Sequence, residues 1–148
     1  MALIDRISPG VIKVPLAESS KEGVIRELVQ LLFGAGKVTD LAKSFEAVLA
    51  REALASTGLE NGIAVPHAKT QAVADLCVAI GISPKGVDFG ALDGKPSYLF
   101  FLLLAPPDKS GPHIEALAEI ARLTRSTSFT RALRGSASAE QVMGLFKE

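Results

Sequence analysis

The sequence predicts an α+β chain, a mixed β-sheet with helices on both faces, and three observations carry that prediction. Apolar residues recur at helical period towards both ends, and short apolar runs rich in β-formers gather in the middle. The third is the stretch SYLFFLLLA at 97–105, apolar on both faces of an extended chain. Such a strand needs cover on both sides, which is the position of a central strand. No internal repeat, linker or low-complexity tract interrupts the 148 residues, so a single domain over 1–148 is expected.

Taken in order, residues 11–14 alternate around Lys13 and stop at Pro15, a short first strand suited to a sheet edge. Ser19 and Glu22 stand at capping-box spacing ahead of Val24, Ile25, Leu28, Val29 and Leu32, and Gly34 and Gly36 supply the stop, so a helix belongs there. Thr39 or Asp40 opens a second helix with Leu41, Phe45, Val48 and Leu49 on its apolar face, running on towards Arg51 and Leu54. Residues 63–65 then form a strand-like approach to Pro66 and His67. Residues 76–82 read as a buried strand closed by Ser83, Pro84 and Gly86, and turns at Pro84 and Asp93 bracket a loop holding Val87 and Phe89. After 97–105, ended by Pro106 and Pro107, a helix starts near Ser110 with Pro112 in its first turn and Ile114, Leu117, Ala118 and Ala121 on one face. A shorter helix around 129–133 follows. The last is opened by Ser138 and Gln141 at capping-box spacing and carries Val142, Met143 and Phe146.

Sixteen basic and sixteen acidic residues cancel, so the charge balance points neither to nucleic acid nor to an anionic membrane surface. The single cysteine, Cys77, lies in an apolar run and reads as a small buried hydrophobe in a reducing compartment. The N-terminus lacks a basic stretch followed by a long apolar one, and the run at 98–105 is far too short to span a bilayer. A cytoplasmic protein without direct membrane insertion is expected. With two histidines far apart and no CxxC, no metal site is expected. GALDGK at 90–95 has three residues between its glycines where a phosphate loop has four, and Pro96 replaces the hydroxyl residue, so it is a turn.

The chemistry gathers at STGLENGIAVPHAKT, residues 56–70, where glycines permit a tight loop and Pro66 fixes the backbone directly before His67. A rigidly held imidazole is available as nucleophile, base or ligand. Together with RE at 51–52, VDFGALDGKPSYLFFLLLAPP and PHIEALAEIARL, this string resembles the fructose, mannitol and nitrogen-related (type-2) enzyme IIA proteins of the bacterial phosphoenolpyruvate-dependent phosphotransferase system. The resemblance covers nearly the whole chain. It implies a three-layer α/β/α sandwich on a mixed sheet. It also implies a phosphoryl carrier that accepts the group from a histidine-containing phosphocarrier protein and passes it to a IIB-type domain or uses it as a regulatory signal.

Carried over by residue, His67 is the phosphorylated histidine, His113 the second active-site histidine, Arg51 the active-site arginine, and Thr57 a polar residue of the same pocket. No cofactor is implied, the phosphoryl group coming from phosphoenolpyruvate through carrier proteins. Phosphoryl transfer asks the protein mainly for positioning and charge stabilisation. Arg51 offers planar donors for that, and a helix start near Ser110 offers positive potential. His113 at that helix start suits a neutral positioning role. The hydroxyls of Ser56 and Thr57 either contact the phosphoryl group or fix the loop. An alternative reading is a regulatory binding module, controlling a partner by its phosphorylation state without sugar transport. A decoy that had lost phosphoryl transfer is disfavoured by the intact histidine and arginine.

Overall fold

The computed structural model describes residues 3–147. Five strands form one mixed sheet: β1 (Ile12–Lys13), β2 (Ile63–Ala64), β3 (His67–Lys69), β4 (Cys77–Val87) and β5 (Ser97–Ala105). The long antiparallel pair β4–β5 is its centre. β1 runs parallel to β4 on one side, and β2 and β3 run parallel to β5 on the other. The order β1-β4-β5-β2 leaves β3 continuing beyond β2 along the same edge of β5. As its composition requires, β5 is buried from Leu99 to the end of the strand.

Five α-helices accompany the sheet: α1 (Lys21–Gly34), α2 (Leu41–Leu54), α3 (Ser110–Leu123), α4 (Thr127–Arg134) and α5 (Ala139–Lys147). They lie on both faces, as the packing of two of them demonstrates. A Cβ added to Gly81 would collide with side chains of Leu16 and Leu28, so α1 presses on the face that Gly81 presents. Gly81 pairs with Phe100, and three residues further along β5 Leu103 points to the opposite face, in register with His67. There the ring of His113, on α3, meets that of His67. This is the expected α/β/α sandwich, and its core joins Val24, Ile25, Leu28 and Leu32 of α1 to Phe100, Leu102 and Leu104 of the sheet and to Ile120, Leu133 and Val142 beyond it.

Several details differ from the sequence expectation. The cap of α1 is Ser20, not Ser19, because Ser20 Oγ accepts the Gly23 amide at 3.0 Å; Glu22 is then too early in the helix to close a capping box. Of the two expected caps of α2, Asp40 is the one used, accepting the Lys43 amide. β4 does not stop at Ser83 but reaches Val87, and its register with β5 slips between Ile82 and Val87, an irregularity that accommodates Pro84 at an exposed position. The inward face of α3 is His113, Ala116 and Ile120; Ile114 is 65% exposed. The buried line of α2 is Ser44, Val48 and Glu52, with Phe45 and Leu49 half-buried beside it. At α5, Ser138 Oγ accepts the Gln141 amide while Gln141 Oε1 accepts the amide of Ala137 instead of that of the cap residue.

Candidate functional site

The segment between α2 and β3 folds back on itself. Val65 donates its amide to Thr57 O at 3.0 Å and Leu59 donates to Ile63 O at 2.7 Å, so 57–65 closes as a hairpin. Its tip is Asn61 and Gly62, at φ 64° and 78°, the left-handed pair that a tight hairpin turn needs. Glu52 anchors the base of this loop: its carboxylate accepts the Thr57 amide at 3.1 Å and the Thr57 hydroxyl, and it pairs with Lys21 Nζ at 2.8 Å. Ser56 Oγ donates to Phe89 O at 2.6 Å and accepts the Gly58 amide at 3.0 Å, which ties the loop to the 88–94 segment.

Out of this hairpin the chain enters β3 at His67, whose ring is half-buried. Its Nδ1 lies 2.8 Å from Val65 O. A carbonyl oxygen only accepts, so Nδ1 carries the hydrogen of this bond and the neutral ring keeps its lone pair on Nε2. His113, the fourth residue of α3, is buried, and its ring centroid stands 5.4 Å from that of His67 at an interplanar angle of 73°. Its Nε2 is buried without a hydrogen-bond partner among the described residues. Burial, then electrostatic coupling to His67 and to Lys69, lowers the His113 pKa below the ordinary histidine value, which favours the neutral ring. Lys69, two residues along β3 from His67 and so on the same face, donates to Ser110 Oγ at 3.0 Å and thereby links β3 to the first residue of α3.

The five residues picked out from sequence are thus arranged unequally. His67 and His113 are brought together. Arg51 sits in the last turn of α2 and donates Nη1 to Ala55 O at 2.9 Å, bracing the helix end just before the loop. Ser56 and Thr57 follow it directly, with hydroxyls engaged in the loop-fixing bonds described above. Three residues around the site were given no role from the sequence: Glu52, noted only within the RE string, Lys21 and Lys69. The signals were present for two of them. Glu52 lies four residues after Val48 and eight after Ser44, on one helical line, and Lys69 has the period-two offset from His67 that puts strand neighbours on one face.

The model of the family described as "Phosphoenolpyruvate-dependent sugar phosphotransferase system, EIIA 2" matches residues 7–148. The chain belongs to this family. It is 34% identical over its whole length to the fructose-specific EIIABC component of Bacillus subtilis, of which it spans 23%. Among solved structures it resembles the nitrogen regulatory protein IIA-Ntr of Neisseria meningitidis, with TM-score 0.89 and 32% identity over 97% of this chain and 98% of that one. It also resembles the Escherichia coli complex of enzyme IIA for mannitol with phosphorylated enzyme IIB, with TM-score 0.81 and 25% identity over 95% of this chain and 96% of that one. As an EIIA 2 domain it has, among the described residues, no group of three or more histidine, cysteine, aspartate or glutamate side chains placed to hold a metal ion. No helix among the described residues is long and apolar enough to cross a membrane.

Proposed function

We propose that this EIIA 2 domain is a cytoplasmic phosphoryl carrier whose acceptor atom is Nε2 of His67. The observation that carries the proposal is the 2.8 Å contact between His67 Nδ1 and Val65 O, which leaves Nε2 as the nucleophilic nitrogen beside His113. Nε2 attacks phosphorus in line; the new N–P bond forms as the donor's N–P bond breaks, and that bond's electron pair returns to the donor's ring nitrogen. The Val65 carbonyl stabilises the positive charge that develops on the ring as Nε2 commits its lone pair. His113, held neutral by burial, offers its unpartnered Nε2 to a phosphoryl oxygen. The Arg51 guanidinium has donors left after its single bond to Ala55 and supplies a planar fork for the equatorial oxygens. Ser56 and Thr57 act through the shape of the loop, since their hydroxyls already have protein partners.

The donor in this scheme is a histidine-containing phosphocarrier protein charged from phosphoenolpyruvate. A IIB-type domain is the natural acceptor, in keeping with the likeness to the Escherichia coli IIA–IIB complex. The likeness to IIA-Ntr of Neisseria meningitidis supports the second reading, in which the phosphorylation state of His67 sets the binding of a regulated partner. Intact-mass spectrometry after incubation with phosphoenolpyruvate, enzyme I and the carrier protein tests the shared chemistry. One acid-labile phosphoryl adduct, absent from His67→Ala, is expected; a folded protein that takes up none with any donor would refute the carrier reading.

A further inference from the structure

A cavity lined by basic side chains lies at the end of β5 away from His67. A surface cavity of about 400 Å³ opens between the start of that strand, the 93–96 turn and helix α4. Thr127, Thr130, Arg131 and Arg134 line it at the i, i+3, i+4, i+7 spacing of one helical stripe, and Lys95 of the 93–96 turn lines it as well. Lys95, Arg131 and Arg134 make no ion pair among the described residues. The one carboxylate in the lining, Asp93, is turned to the backbone amides of Asn61 and Lys95, at 3.2 and 3.0 Å. In a chain whose charges sum to zero, three unpaired cations are therefore held around one hollow.

The floor is preformed. A Cβ at Gly62 would meet Tyr98 Cδ2 at 2.9 Å and one at Gly86 would meet Tyr98 Cε1 at 2.8 Å, so two glycines at positive φ make the slot in which the Tyr98 ring lies. The Arg134 guanidinium rests 3.7 Å from the centre of that ring, which fixes its plane and leaves its N–H edge for a ligand. Small-ligand sites have volumes of roughly 300–1,000 Å³, so there is room for an organic group beyond a bare anion. The site is separate from His67. Tyr98 precedes Leu103, the partner of His67, by five strand residues, a span of about 17 Å.

We propose that this cavity binds a small phosphate ester, its dianionic phosphate held by Arg131, Arg134 and Lys95 and its organic part lying in the remaining space. The test is an amide NMR titration of the unphosphorylated full chain at low salt with inorganic phosphate, glucose 6-phosphate, AMP and, as control, glucose. Saturable shifts at Gly62, Tyr98 and Thr130 are expected with the two esters, with a dissociation constant on the order of 1 mM or tighter. Binding weakens as salt is raised. Arg131→Gln with Arg134→Gln, both at exposed positions, should lower affinity about tenfold or more while the spectrum elsewhere reports an intact fold; Lys95→Gln gives a second, independent loss. Shifts confined to His67 and His113, shifts that persist in the double variant, or equal shifts with glucose would overturn the site. Inorganic phosphate binding as tightly as both esters would overturn the ester and leave a free-phosphate site.

Discussion

Lys21 Nζ lies 2.8 Å from Glu52 Oε1, joining the first residue of α1 to the last turn of α2. The same ammonium donates to Phe89 O at 3.3 Å and stands 4.8 Å from the centre of the Phe89 ring, while the same carboxylate receives the amide and hydroxyl of Thr57. Two helices and two loops therefore converge on one ion pair at the base of the hairpin that leads into His67. The Glu52 side chain is 4% exposed and that of Lys21 31%, so the carboxylate has more to lose. Breaking a fully buried pair costs about 3–5 kcal/mol, and partial exposure of the lysine puts Lys21→Met nearer 2 kcal/mol. Urea unfolding should show that loss, and Lys21→Met combined with Glu52→Leu should cost at least about 1 kcal/mol less than the sum of the single changes. Additive, negligible losses would mean that the pair is incidental.

On the proposed mechanism, the Val65 carbonyl, by holding Nδ1, sets Nε2 as the nitrogen of His67 that reacts. Long-range proton–nitrogen NMR of the neutral ring should find the hydrogen on Nδ1, and after phosphorylation the phosphorus–nitrogen coupling should appear at Nε2. Phosphorylation at Nδ1 would require the 2.8 Å contact to break and would contradict the mechanism.

Arg51 is expected to act through geometry as much as charge. Lysine in its place keeps the charge and loses the fork that can serve Ala55 O and a phosphoryl oxygen together. Arg51→Lys should slow single-turnover phosphoryl transfer by about tenfold or more, with thermal stability little changed because the side chain reaches an exposed helix end. Wild-type rates in that variant would remove Arg51 from the site.

How much of this was legible depended on whether a residue's partner was near it in sequence. The β5 strand was readable because both its faces are apolar, and His67 because the loop that presents it is local to the chain. The apolar side of α2 was read as Leu41, Phe45, Val48 and Leu49, of which Val48 is buried and the others half-buried against the core; the missed part of its buried line is Ser44 and Glu52, the latter a carboxylate paired with Lys21, thirty-one positions earlier. In α3 the apolar count favoured Ile114, yet the helix turns His113 inward to meet His67, a contact between segments that sequence spacing does not join. Ser56 and Thr57 were visible as loop-formers, whereas their acceptors, the Phe89 carbonyl and the Glu52 carboxylate, could be assigned only once the fold brought them together.

His113 should make the domain sensitive to mild acid. Its folded pKa lies below the ordinary value of 6.5, chiefly through burial and secondarily through electrostatic coupling to His67 and Lys69. Between the folded and unfolded values the unfolded chain binds the proton and the folded one does not, so stability is fully present above about 6.5 and is lost as pH falls through the folded pKa. Unfolding free energies of wild type and His113→Gln, measured across that window, should diverge, with the variant showing the shallower loss on acidification. Glutamine also keeps an N–H donor near the phosphoryl position, so His113→Gln should retain more onward transfer than His113→Ala, while both still accept the group on His67. Parallel stability curves would place the His113 proton in contact with water, and loss of labelling in His113→Ala with labelling kept in His67→Ala would exchange the roles of the two histidines.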